Sequence, residues 1–143
     1  MKFPYSKYAV VPSPAAPERD VLFRPVIPVR FVGPKAARDV YALLDTGADE
    51  SYITESMANK LGVIPLSNST SVVQSASGKM SIDYGHIVVE IADDTEVLSF
   101  PLIVGIVSED WSEAILGHAG FLEHFDATFS YIDRQVALTP RRQ

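Results

Sequence analysis

LLDTGADESYIT, residues Leu43 to Thr54, sets a carboxylate directly behind two leucines at the end of an apolar run. An acid at the end of a buried strand is costly to ionise unless its surroundings stabilise the charge, so Asp45 is a candidate for a functional role. Gly47 permits a tight loop, and the Thr46 hydroxyl can hydrogen-bond inside it. Upstream, PVIPVRFV and RDVYALLD flank the break Gly33-Pro34-Lys35. This pattern predicts a hairpin whose second strand ends at the acid. That second strand has the continuous apolar character of one buried on both faces. Downstream, Thr54 is placed to cap a short helix, Glu55 suits its positive end, and Gly62 fits the left-handed position that stops it.

Further along, SNSTSVVQSASGKMSIDYGHIVVEI reads as two strands around a small-residue tip at Ser75 to Lys79, with Gly78 supplying the turn. A further pair, VEIAD and VLSFPLIVGIV, surrounds the turn Asp93-Asp94. Glu109 to Ser112 form a polar loop carrying the single tryptophan, Trp111, and EAILG is a short apolar strand ending at a glycine. His118 to Phe125 suit one or two helical turns, and ATFSYIDRQVALTP closes as a hairpin turning near Asp133-Arg134. Residues 1–20 carry Pro4, Pro12, Pro14 and Pro17, which lack amide donors and restrict their predecessors, so regular structure is disfavoured there. This segment reads as a proline-rich arm, either a flexible tail or one packed on a partner subunit, ahead of a mainly β domain at 21–143.

At 143 residues the chain has the size of one domain with a real core. Its 47% hydrophobic and 21% charged content place it among globular proteins. A net charge of −6 repels phosphate backbones and anionic lipid, which argues against nucleic acid and membrane as partners. The absence of cysteine excludes disulfides, thiolate zinc sites and thiol nucleophiles. With no continuous apolar leader and no span of bilayer length, a soluble, cytoplasmic protein is expected. No G-x-S-x-G, phosphate loop or dinucleotide fingerprint is present. His86, His118 and His124 read as surface or hydrogen-bonded residues. The spacing of His118, His124 and Asp126 does not stack donors on one helical face, so no metal is assigned.

Three motifs remain, in order: LLDTGADES, the tip ASG at Ala76 to Gly78, and AILG at Ala114 to Gly117. Together they resemble the retropepsin-like, single-domain group of aspartic proteases. In that group one short subunit carries one D-T/S-G motif, one flap and one apolar-apolar-glycine motif near the C-terminus. The resemblance covers Pro25 to about Thr139 and is most specific at LLDTGAD and AILG. It implies a closed, mainly β acid-protease barrel with one or two short helices, acting as a homodimer on peptide or unfolded protein without a cofactor.

The chemistry explains why such a motif needs a twin. Amide hydrolysis without a covalent intermediate needs a water deprotonated as it attacks, while the carbonyl oxygen receives a proton. Two carboxyl groups about 3 Å apart cannot both ionise, so one pKa rises, the other falls, and the pair does both tasks. One D-T-G per chain implies that two Asp45 side chains meet on a two-fold axis. By the same resemblance, the Thr46 hydroxyl bonds across the axis, and Gly47 and Ala48 leave room for the substrate backbone. Asp49 either accepts hydrogen bonds from substrate main chain or caps its own turn. Ala76, Ser77 and Gly78 correspond to the flap tip, Trp111 to a cleft wall or to core packing, and Ile115, Leu116 and Gly117 to the structural turn beside the acid. The closing hairpin Phe129 to Leu138 is a source of dimer contacts or an ordinary sheet edge. An alternative of another class is a peptide-binding or dimerisation module of the same fold with little or no proteolysis. The intact D-T-G argues for the enzyme, because a pure binder has no need of an ionisable pair. A removable or cleft-blocking role for residues 1–20 is a third expectation.

Overall fold

The computed structural model describes residues 1–66, 71–75 and 78–141. The Ala76 and Ser77 positions of the flap tip lie outside the described residues. The strands are β1 (Lys2–Pro4), β2 (Ser6–Ala9), β3 (Val21–Arg24), β4 (Val26–Val32), β5 (Ala37–Leu44), β6 (Tyr52–Thr54), β7 (Ser71–Ser75), β8 (Gly78–Ala92), β9 (Val97–Val107), β10 (Ala114–Leu116), β11 (Phe125–Ser130) and β12 (Gln135–Pro140). One α-helix, α1 (Glu55–Leu61), follows β6, and a 3-10 turn spans Leu122–His124.

β4 and β5 form the expected hairpin, with Val26 opposite Leu43 and Val32 opposite Ala37. From there the ladder runs β5 to β10, β10 to β6, β6 to β9 and β9 to β8, and β8 returns to β4 through Phe31 opposite Val89. Six strands thus close on themselves, and closure removes the open edges that a flat sheet would present. Inward positions follow the period of two: Ile87, Val89 and Ile91 on β8 are buried, while His86 is exposed. With Ile27, Phe31, Ile53, Leu61, Val104 and Leu116 they form one core.

Helix α1 forms for the reasons its sequence states. Thr54 accepts from the Met57 amide at 3.2 Å, Glu55 occupies the first turn, and Gly62 ends the helix at φ 74°. The turn between β8 and β9 is equally local, since Asp93 Oδ1 accepts from the amides of Thr95 and Glu96.

Three expectations are corrected. β5 is not buried on both faces: Ala42 and Leu44 are buried, but Arg38 and Asp39 are exposed and Tyr41 is 60% exposed. Its second neighbour, β10, joins only at Ala42 to Leu44, so only that end meets the centre of the core. The strand read after the hairpin tip and the VEIAD strand read after it are one strand of 15 residues, β8. Regular structure also reaches the proline-rich segment. β1 pairs with β12, burying Phe3 to 3% exposure, and β2 pairs with β3. β1 is an edge strand, where Pro4 removes no needed ladder donor, and Pro12, Pro14 and Pro17 all fall in the connection between β2 and β3. Among the described residues, no helix is long and apolar enough to cross a membrane.

Candidate active site

The site is built where two parallel strands end side by side. β10 lies against the end of β5 with Ile115 opposite Leu43 and Leu116 opposite Leu44. The next amide, that of Asp45, donates to Leu116 O at 3.0 Å, and Leu44 N donates to Pro25 O at 2.9 Å. The acid is therefore delivered at a fixed point by backbone bonds on both sides. Its own loop then folds around it: Gly47 N donates to Asp45 Oδ1 at 2.8 Å and Ala48 N to Asp45 O at 3.2 Å. Asp45 is half-buried, whereas Thr46 and Gly47 are exposed at the loop crest. A carboxylate that accepts from an amide while keeping one face open is suited to proton exchange with a ligand.

The turn after β10 clasps this loop from behind. His118 N donates to Ala48 O at 2.9 Å, and Ala119 N to Asp49 O at 2.8 Å. His118 Nε2 lies 2.6 Å from Thr46 O; a carbonyl only accepts, so the ring donates. A Cβ on Gly117 would stand 2.2 Å from Glu50 O and 2.5 Å from Ala48 O, so the two loops approach as closely as only glycine allows. The assigned residues Asp45 to Asp49 and Ile115 to Gly117 are thereby one unit, and His118 is the hydrogen-bonded residue it was read to be.

Ser51 joins that unit and carries no sequence signal beyond its place after DTGADE. It is fully buried, accepts from Gly117 N at 3.1 Å and donates to Ala119 O at 3.3 Å, and its carbonyl accepts from Gly105 N at 2.8 Å. Ser51→Ala strands the Gly117 amide in the interior. We expect a loss of about 1 to 3 kcal/mol, read as a lower midpoint in urea unfolding with an unchanged slope. Glu50 was also unassigned. It accepts from the hydroxyls of Tyr84 at 2.7 Å and Tyr52 at 3.4 Å. Burial and then the Glu50 charge push the Tyr52 phenol up to about 12, so it stays a donor at neutral pH.

Trp111 stands edge-on to Tyr52, with ring centroids 6.3 Å apart, and donates through Nε1 to Glu109 at 2.8 Å. With Leu43, Asp110 and Ile115 it lines an open depression of about 370 Å³. Leu43 and Ile115 are a registered pair, two residues before Asp45 and Gly117 respectively. Gly78, the described part of the proposed flap tip, pairs with Ser75 in the β7–β8 hairpin at φ 118°. Among the described residues, no cluster of three or more acidic or histidine side chains could hold a metal ion.

A closed barrel carrying an Asp-Thr-Gly loop against an apolar-apolar-glycine strand defines the retropepsin-like class of aspartic proteases. Within that class, the chain belongs to the family described as "gag-polyprotein putative aspartyl protease", which matches residues 36–124. The chain is similar to a retropepsin-like aspartic protease from Rickettsia conorii, with a TM-score of 0.52 and 14% identity, over 95% of this chain and 92% of that one. At that identity the likeness is one of fold. EIAV protease complexed with the inhibitor HBY-793 aligns with a TM-score of 0.41 and 22% identity, over 66% of this chain and 82% of that one. Comparison with curated proteins gave no match.

Proposed function

We propose that this chain is an aspartic endopeptidase that works as a homodimer, with one Asp45 carboxyl from each copy forming the proton-sharing pair. The observation that carries the reading is the placement of Asp45: amide-bonded through one oxygen, held by two parallel strands, and set beside an exposed Thr-Gly crest. Family membership over residues 36–124 supports the same chemistry. With one such loop per chain, an isologous contact around the crest supplies the second acid. The β11–β12 hairpin is the proposed source of further dimer contacts.

In this mechanism one carboxylate takes a proton from the attacking water as its oxygen bonds to the scissile carbonyl carbon. The other carboxyl group gives its proton to the carbonyl oxygen. Collapse of the resulting diol breaks the C–N bond: one diol hydroxyl returns its proton to the carboxylate that had protonated the carbonyl oxygen, and the amine leaves with the proton first taken from water. Thr46 bonds across the axis and keeps the carboxyls coplanar, while Gly47 and Ala48 admit the substrate backbone and Asp49 accepts from its amides. The Gly78 hairpin covers an extended peptide held by strand-like pairing, and Trp111 walls the cleft.

The reading is tested by incubating purified protein with unfolded protein across a pH series, with and without a statine-type mimic of the diol. Cleavage that the mimic suppresses is the expected result. Tight binding of the mimic without turnover would replace the enzyme by a peptide-binding module of the same fold.

A further inference from the structure

The loop that carries Trp111, residues 108–113, is fixed at one end by β9, where Val107 pairs with Thr54, and at the other by β10, where Ala114 pairs with Ala42. Between them it bulges beside the depression lined by Leu43 and Ile115. One tether reaches it from far away in sequence: Tyr8 on β2 donates its hydroxyl to Glu113 Oε1 at 2.8 Å, across 105 residues. Both ends of that bond are themselves held. Ser112 donates to the other oxygen of Glu113, and the Arg24 guanidinium on β3 lies 4.9 Å from the centre of the Tyr8 ring. Burial, followed by the hydrogen bond to Glu113, pushes the Tyr8 phenol up to about 12, so it keeps its proton for donation.

The loop separates two depressions. One, of about 250 Å³, is lined by Tyr8, Tyr41, Thr54 and Met57 together with Trp111 and Glu113. The other is the depression of about 370 Å³ that Leu43 and Ile115 share with Trp111 and Glu113. A shift of the loop toward Tyr8 narrows the first and widens the second. The Tyr8 to Glu113 bond thus ties the loop shared by both depressions to β2, on the side away from Leu43 and Ile115.

We propose that Tyr8 is a positioning residue for the cleft wall: through Glu113, the β2–β3 hairpin holds the Trp111 loop at the distance that fits substrate side chains. This assigns residues 6–24 to substrate selection. It rests on the protease reading for what the cleft receives, but not for the tether itself.

The chain's single tryptophan makes the loop directly observable. In Tyr8→Phe the ring stays and only the hydroxyl goes, so the fold is retained. Acrylamide quenching of Trp111 fluorescence should rise about two-fold as the loop loosens. KM for peptide cleavage should rise about three- to ten-fold, with kcat nearly unchanged, as for the loss of a bond that serves binding rather than chemistry. Glu113→Ala removes the same bond together with the one from Ser112, so it should loosen the loop at least as much, and the double variant should be no worse than Glu113→Ala alone. Unchanged quenching in Tyr8→Phe, or additive losses in the double variant, would overturn the tether. Raised quenching with unaltered KM and unaltered affinity for the statine-type peptide would overturn its role in selection. If the wild type neither cleaves nor binds that peptide, the protease reading fails instead, and the quenching series still decides whether Tyr8 holds the loop.

Discussion

Asp45→Asn is expected to lower peptide cleavage by about a thousand-fold or more, the contribution of a positioned acid-base group, without unfolding the protein. The amide oxygen of Asn can still accept from Gly47 N, the bond that shapes the loop at 2.8 Å, so the backbone around the site has no reason to move. What is lost is the exchangeable proton. The same variant distinguishes a shared site from one complete in a single chain. If wild-type and variant subunits are mixed in equal amounts and allowed to exchange, random pairing leaves about half of the wild-type subunits in fully wild-type dimers. Activity per wild-type subunit should then fall to about half. No loss on mixing, under conditions where exchange is shown independently, would mean that the second acid does not come from a second copy.

Gly117→Ala should be the most damaging single methyl that can be added beside the site. The new carbon would lie 2.2 Å from Glu50 O, 2.5 Å from Ala48 O and 2.9 Å from Glu50 C, all backbone atoms, so no side chain can swing aside. Overpacking of this kind costs about 3 kcal/mol or more when the backbone itself must yield. In a domain of this size that is a fall of roughly 10 °C in Tm. The damage is not confined to stability. Ala48 O accepts from His118 N, and Ala48 follows directly on the D-T-G triplet, so the strain is relieved by moving the Asp45 loop. Cleavage measured well below the melting temperature should therefore drop too. A thermal scan within about 2 °C of wild type would refute the close approach. Gly47→Ala provides the contrast, since its nearest neighbour is a side-chain oxygen, Asp45 Oδ1, at 3.2 Å.

What could be read from sequence was what depends on near neighbours. The Thr54 cap, the Gly62 stop and the Asp93 turn each rest on bonds spanning a few residues, and the hairpin ending at Asp45 joins neighbouring segments around the Gly33-Pro34-Lys35 break, so residue type announces them. The apposition of LLDTG and AILG spans about seventy residues. It was legible only because both segments run an apolar strand into a glycine, a pattern matched to a known family. Ser51 was not legible. Its hydroxyl matters because Gly117 and Ala119 arrive beside it, and nothing in its own surroundings says so. The N-terminal strands were missed for a related reason. Proline warns against regular structure within a segment, but β1 is held by β12, more than one hundred residues away, along an edge where Pro4 costs little. The partial exposure of β5 followed from its neighbours, too, since the short β10 reaches only its final residues.

The length of β8 has a mechanical meaning. Its early residues pair with β7 in the hairpin, Ser71 reaching Ile82, whereas from Asp83 onward it is clamped by β9, and then also by β4 at Val88 to Glu90. It is a cantilever: a beam embedded in the barrel at one end and projecting as a hairpin at the other. Load applied to a cantilever concentrates its bending moment at the root, not at the tip. The root here is Asp83 to Gly85, and the residue between them, Tyr84, holds Glu50 at 2.7 Å on the loop that continues from Asp45. Whatever presses on the hairpin is thus felt most where the beam meets the loop that continues from Asp45.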